Sequence, residues 1–215
     1  QIQFKKSVKK LPVQPDSKKV LSSLFCNIDG NATNFDEYLV ELKRIGHSFD
    51  VLGLAETNIE PNLQGLYQIP NYVSFYQEIQ PGKKKGTGVA MYISDNLNSN
   101  ILDTFSYCTP DIECIFVEIT DAGGGKVVYG TTYRPPNGSL DIFCQTLENI
   151  ARQLSGKRYF LLGDFNSNLL DIHTNSQIFE DTILRNNLYP TISIATHMRP
   201  NCNKSCIDNI LTSEI

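Results

Sequence analysis

Leu161-Leu162-Gly163-Asp164-Phe165-Asn166 carries the chain from an apolar run, Tyr159 to Leu162, directly into a carboxylate and an amide two residues apart. Such a run reads as a buried strand, and the polar pair at its end reads as chemistry delivered to a site. Side chains alternate faces along a strand, so Asp164 and Asn166 are expected to leave the same side. One accepts hydrogen bonds and the other both donates and accepts, so together they can fix and polarise a water. Gly, Asp and Asn also favour turns, and the segment alone leaves both readings open.

Upstream, Ser139 is expected to cap a helix carrying Leu140, Phe143, Leu147, Ile150, Ala151 and Leu154 on one face. Before it, the turn Asp121 to Lys126 joins strand-like runs Cys114 to Ile119 and Val127 to Tyr133, which suggests a hairpin. Tyr72 to Tyr76 and Gly88 to Ile93 also read as strands, and Val20 to Cys26 and Asp50 to Ala55 are short apolar runs. Between those two runs, Phe35, Tyr38, Leu39, Leu42 and Ile45 have helical spacing, with Asn34 and Glu37 offering a capping box. Downstream, a helix is expected over about Ser176 to Asn186, then a last strand from Ile207 to Leu211. Helices interspersed with isolated and hairpin strands imply an α/β (α+β) layered domain with a mixed sheet system. Residues 1–19, with Pro12 and Pro15 and no periodicity, read as a basic flexible leader, and the domain starts at Val20.

With 215 residues, 40% of them hydrophobic, the chain is long enough to bury the core of one domain. No apolar run approaches the roughly 18 residues of a membrane span, and the N-terminus lacks the apolar centre of a signal peptide, so a soluble intracellular protein is expected. The six cysteines, Cys26, Cys108, Cys114, Cys144, Cys202 and Cys206, are scattered, four of them inside apolar segments where a reduced thiol serves as a small hydrophobe. Disulfides are not expected. Cys202 and Cys206 have no partner pair at zinc-like spacing, so no zinc is expected. A net charge of −4 argues against coating nucleic acid by bulk electrostatics. Locally, however, lysines cluster in the leader and at Lys83, Lys84 and Lys85. Acidic residues flanked by basic loops suit a metal-dependent enzyme acting on a polyanion, because carboxylates bind the cation while lysines hold phosphates.

Other strand-like runs also end in polar residues: Asn27 with Asp29, Glu56 and Tyr133, while Asp208 stands inside the final apolar run. Singly, these read as a turn, a helix start, strand filler and a satisfied buried acid. Their order and types together are more specific. Asn27-Ile28-Asp29-Gly30, Leu54-Ala55-Glu56-Thr57, Tyr133-Arg134-Pro135-Pro136, Gly163 to Asn166 and Ser205 to Asp208 match five motifs in sequence. On these, the chain resembles the exonuclease-endonuclease-phosphatase superfamily, the fold of deoxyribonuclease I and apurinic/apyrimidinic endonucleases, over nearly all of Val20 to Ile215. Within it, Tyr133 to Ser139, Gly86 to Ser94 and Ser205 to Ile210 look most like the N-terminal endonuclease domain of non-LTR (LINE-type) retrotransposon polyproteins.

The resemblance implies a four-layer α-β-β-α sandwich of two mixed sheets flanked by helices. It also implies a Mg²⁺-dependent endonuclease, with Mn²⁺ a substitute, that nicks target DNA in the nucleus. The resulting 3′-hydroxyl would prime a reverse transcriptase in the same polyprotein. Glu56 with help from Asp29 would hold the metal, and Asn27 and Asn166 would hydrogen-bond phosphate or metal-bound water. Asp164 would activate the attacking water, Tyr133 would stabilise the transition state, and Arg134, Ser205 and Lys83 to Lys85 would contact substrate. The family's closing Ser-Asp-His motif has no counterpart in these residues, which implies that the terminal strand is missing and that nicking is weak or absent. His47, at a helix C-terminus, and His173 and His197, in loop-like segments, are not expected to replace it. Asp208 would lose the histidine it orients. Inositol-polyphosphate phosphatases and sphingomyelinases share much of this residue set, so a phosphatase or phosphodiesterase is the alternative, as is an inactive DNA-binding remnant.

Overall fold

The computed structural model describes residues 21–30, 32–80, 82–83, 85–120, 124–171, 174–198 and 203–214. The basic leader, residues 121–123 of the expected turn, Lys84, His173 and Cys202 lie outside the described residues. The first half of the chain builds one sheet from β1 (Ser23–Asn27), β2 (Val51–Ala55), β3 (Tyr72–Tyr76) and β4 (Val89–Ser94), in the order β1-β2-β4-β3. β1 and β2 are parallel, and α1 (Ala32–Ile45) supplies the crossover that parallel neighbours require.

The second half contributes β5 (Asn98–Ile101), β6 (Tyr107–Cys108), β7 (Glu113–Thr120), β8 (Lys126–Tyr133), β9 (Tyr159–Asp164), β10 (Tyr189–Pro190) and β11 (Asp208–Thr212). They form a larger mixed sheet of order β10-β11-β9-β8-β7-β5, with β6 also paired to β7. β7 and β8 make the expected hairpin, while α2 (Leu140–Gln153) carries the chain between parallel β8 and β9. α3 is Thr174–Arg185.

Alternation along the strands sorts the apolar residues into three cores. Leu52, Leu54, Ala90 and Tyr92 face α1 through Phe35 and Tyr38. Val51, Ala55 and Met91, on the opposite face of that sheet, meet Ile115, Val117, Tyr129 and Leu162 of the larger one. The larger sheet's outer residues Phe116, Leu161 and Leu211 are covered by Phe143 and Leu147 of α2 and Phe179 and Ile183 of α3. The layers therefore run α1, smaller sheet, larger sheet, α2 with α3, which is the four-layer sandwich expected. Each fully buried Phe or Leu contributes about 1.5–3 kcal/mol, so the central core fixes how the two sheets register on one another.

Ser139 caps α2 as its spacing indicated, its hydroxyl accepting from the Ile142 N–H. The capping box at Asn34 is corrected: α1 begins at Ala32, so Asn34 lies within the first turn. Its Nδ2 instead donates back to the carbonyls of Ile28 and Asp29, at 2.9 and 2.7 Å, pinning the turn that follows β1.

Candidate active site

Strand register collects the polar strand ends. Asp208 of β11 pairs with Asp164 of β9, Asp164 with Tyr133 of β8, and Tyr133 with Glu113 of β7. Directly paired residues share a face, so these four side chains form a row across one end of the larger sheet. Tyr133 belongs to the core between the sheets, so the row faces the smaller sheet. There Asn27 pairs with Ala55, and Glu56 follows at the end of β2.

Asn27 joins the two halves. Its Nδ2 donates to Glu56 Oε1 at 2.7 Å and to Asp164 Oδ2 at 3.0 Å, while its Oδ1 accepts the Asp29 N–H. The Tyr133 hydroxyl stands beside Glu56, whose charge acts on it. Asp164 Oδ1 accepts the Asn166 N–H at 3.0 Å. Glu56 has a left-handed backbone, φ 52°, which costs about 1–2 kcal/mol for a residue with a Cβ. The Gly30 N–H, donating to the Glu56 carbonyl at 2.7 Å, helps hold it there. Only glycine allows that approach, since a Cβ at Gly30 would lie 2.3 Å from the Thr57 carbonyl oxygen.

The carboxylates crowd one another. Burial, then Asp208 and Glu56, push the Asp164 carboxyl up to about 7, against the lowering effect of the Asn27 amide and the Asn166 N–H. Asp208 is also raised, chiefly by burial, with a Thr196 hydrogen bond and the charge of His197 opposing. Burial and the adjacent Glu56 and Asp164 raise Tyr133 well beyond the ordinary phenol range, so it remains a hydrogen-bond donor. A carboxyl poised near neutrality beside a protonated phenol suits general base catalysis with stabilisation of an anionic transition state.

The fold thus brings Asn27, Glu56, Tyr133, Asp164 and Asp208 together. Asn166 arrives by a different route from the one expected: β9 ends at Asp164, and a left-handed φ of 45° turns Asn166 so that Nδ2 donates to the Arg134 carbonyl at 2.7 Å. Asp29 is exposed at φ 44°, and none of its described hydrogen bonds reaches Glu56; its N–H and carbonyl shape the turn instead. Arg134 requires a correction. Its buried guanidinium donates to the carbonyls of Phe165, Gly138 and Asn166, at 2.8, 2.8 and 2.6 Å, which makes it a clamp on the loop after β9 and not a substrate contact.

Ser205 forms a two-residue bridge with His197, beside Thr196, whose hydroxyl accepts the N–H groups of Ile207 and Asp208. Lys83 and Lys85 are exposed. Their loop returns to the site at Gly86, where a Cβ would stand 3.6 Å from Glu56 Oε2 and 3.8 Å from the Tyr133 hydroxyl. Sequence reasoning passed over Glu113 and Asn58. Asn58 donates to the Gly30 carbonyl and accepts the Thr87 N–H, at 2.9 and 3.2 Å, and its only signal was an amide suited to the left-handed φ of 50°.

Among the described residues, no three His, Cys, Asp or Glu side chains form a cluster able to hold a metal by themselves. What stands here is a hard oxygen set around Glu56, with excess negative charge that raises its neighbours Asp164 and Tyr133. That set fits Mg²⁺, which takes one or two carboxylates and keeps several waters.

The chain is similar in structure to the endonuclease domain of TRAS1, a telomere-specific non-LTR retrotransposon, with a TM-score of 0.71 and 14% identity over 91% of this chain and 86% of that one. It is also similar to the AP endonuclease LMAP from Leishmania major, with a TM-score of 0.68 and 11% identity over 89% and 78% of the two chains. A mannosyl-6-phosphatase from Bacteroides thetaiotaomicron gives a TM-score of 0.59 and 15% identity over 90% and 85%. No curated protein matches the sequence. At these identities the structures establish a shared fold, whereas the family model of the Endonuclease/Exonuclease/phosphatase family matches residues 24–214. The chain belongs to that family of hydrolytic enzymes.

Proposed function

We propose that this chain is a Mg²⁺-dependent DNA endonuclease that hydrolyses one phosphodiester of a duplex and leaves a 3′-hydroxyl. Divalent-metal dependence is general in the family. The observation that carries the reading is the Asn27 amide bridging Glu56 and Asp164 from opposite sheets, with the Tyr133 hydroxyl near the same glutamate. Glu56 is the residue that would hold the cation, Asp29 lying too far into solvent to be assigned that role. Bound there, Mg²⁺ would supply charge neutralisation at a phosphate oxygen.

The chain's own residues supply the rest. Asp164, once ionised, accepts a proton from the attacking water, and the Asn27 amide orients its carboxylate for that transfer. Tyr133 hydrogen-bonds the phosphate as negative charge grows, and as the P–O3′ bond breaks the leaving 3′-oxygen takes its proton from bulk water. Lys83 and Lys85, on the loop that returns at Gly86, attract the flanking phosphates. The likeness to the TRAS1 endonuclease domain supports chromosomal DNA in the nucleus as target and a reverse transcriptase as user of the 3′ end. The catalytic domain in this reading begins near Val20.

Nicking of supercoiled plasmid with and without Mg²⁺, using Asp164→Ala as control, tests the proposal. Slow relaxation, seen only with metal and only with the unmodified protein, is expected; robust nicking that Asp164→Ala abolishes would show that the Ser-Asp-His histidine is dispensable or replaced. Release of phosphate from sugar or inositol phosphates with no action on plasmid would replace the endonuclease with a phosphomonoesterase.

A further inference from the structure

Glu113 is the fourth member of the row that holds Asp208, Asp164 and Tyr133, yet nothing above gives it work. It is fully buried, and both its oxygens point at one loop of the opposite sheet. Oε1 accepts from Gln80 Nε2 at 2.6 Å and from the Thr87 hydroxyl at 2.7 Å, and Oε2 accepts the Gly88 N–H. The Thr87 hydroxyl in turn accepts the Gln80 N–H at 3.0 Å, and Gln80 Nε2 also reaches the Thr109 carbonyl at 2.6 Å. One carboxylate therefore gathers both ends of the stretch from Gln80 to Gly88, which contains Lys83, Lys85 and Gly86.

We infer that Glu113 is a positioning residue, holding the two ends of the 80–88 loop, which passes Glu56 and Tyr133 at Gly86, so that Lys83 and Lys85 engage substrate phosphates. The inference rests on the endonuclease reading. A buried carboxylate is costly unless its lone pairs are filled, and here every described partner on the loop is a donor. Burial raises the carboxyl while Thr87, Gly88, Gln80 and the charge of Lys83 oppose that rise, which puts Lys83 within electrostatic reach of its anchor. On the smaller-sheet side the loop is held by the Thr57 and Asn58 N–H groups, which donate to the Gly88 and Thr87 carbonyls at 3.0 and 2.9 Å. The larger sheet thus fixes a loop that belongs to the smaller one.

The test combines Glu113→Gln with the double variant Lys83→Ala/Lys85→Ala. An amide at 113 keeps the shape but turns an NH₂ group toward donors on the loop. Two quantities are read: trypsin cleavage after Lys83 or Lys85 in the native protein, and binding of a duplex oligonucleotide in EDTA across a salt series. Faster cleavage is expected in Glu113→Gln, with about 10- to 100-fold weaker binding at 0.1 M salt. The salt slope should fall by about two, one for each phosphate that the lysines no longer neutralise. Combining the substitutions should add little to the loss from the lysine variant alone. Full additivity, or an unchanged salt slope, would mean that Glu113 supports only the fold and would overturn the inference. Should Glu113→Gln not fold, Gln80→Ala removes a tether from the loop side and is read in the same way. If the unmodified protein binds no duplex while its loop lysines are protected by Glu113, the endonuclease reading is what has failed, and the phosphate role falls with it.

Discussion

Replacing Asn27 by alanine removes the one side chain among the described residues that bonds to both Glu56 and Asp164. The 3.0 Å bond to Asp164 stabilises the ionised carboxylate, so its loss favours the neutral acid and raises the pKa further. A hydrogen bond to a charged group contributes about 1.5–3 kcal/mol. At 1.36 kcal/mol per unit this corresponds to about one to two pKa units. Asp164 is already raised, to about 7, with the bond in place, so the variant is expected to titrate at a more alkaline pH still. The assay is single-turnover plasmid nicking at fixed Mg²⁺ between about pH 6 and pH 10, where the rising limb reports ionisation of the base. The limb of Asn27→Ala should lie about one to two units more alkaline, with partial recovery of rate at high pH. A rate lowered equally at every pH, with the limb unmoved, would show that Asn27 does not govern the proton affinity of Asp164.

Asp164→Asn should abolish nicking while stabilising the fold above neutrality. The native carboxyl, at about 7, lies above the ordinary aspartate value of about 3.9. Its stabilising contribution is therefore full below about pH 4 and is lost as the pH rises through about 7. Melting curves should show the variant several degrees more stable at pH 8 and little different near pH 4; a constant offset would refute the assigned shift. Arg134→Lys, which cannot reach three carbonyls with one ammonium group, should cost about 3 kcal/mol in urea unfolding while leaving the salt dependence of DNA binding unchanged. A flattened salt slope there would restore the substrate-contact role. Gly30→Ala should lose about 1–3 kcal/mol by forcing the turn away from Thr57, and an unchanged melting temperature would show that the turn yields freely.

The strands that feed the site were legible because each is a buried apolar run stopping at a polar residue, a contrast visible over six residues. Tyr72–Tyr76 even has the bounds its pattern indicated. β5, Asn98–Ile101, was not legible, because an edge strand exposed along most of its length has no apolar alternation to display. The roles of Arg134 and Glu113 were hidden for a different reason. Most of their partners lie 25 to 33 positions away along the chain, and a charge reads as solvent-facing until the carbonyls or donors around it are known. Asn166 meets Asp164 through its backbone N–H and not through strand alternation, since a positive φ turns its side-chain amide to the Arg134 carbonyl.

The two sheets share no strand, and they are sequential: everything through Ser94 belongs to one, everything from Asn98 to the other. Cutting the chain at 95–97 would therefore yield two pieces, each with an intact hydrogen-bonded ladder and one uncovered inner face. Asn27 and Glu56 would go with the first piece, Tyr133, Asp164 and Asp208 with the second. Neither fragment alone could hold a working set, and activity would return only on their reassociation. The scissile chemistry would then serve as a readout of complementation between two half-proteins, with the Asn27 bridge as the last joint to close.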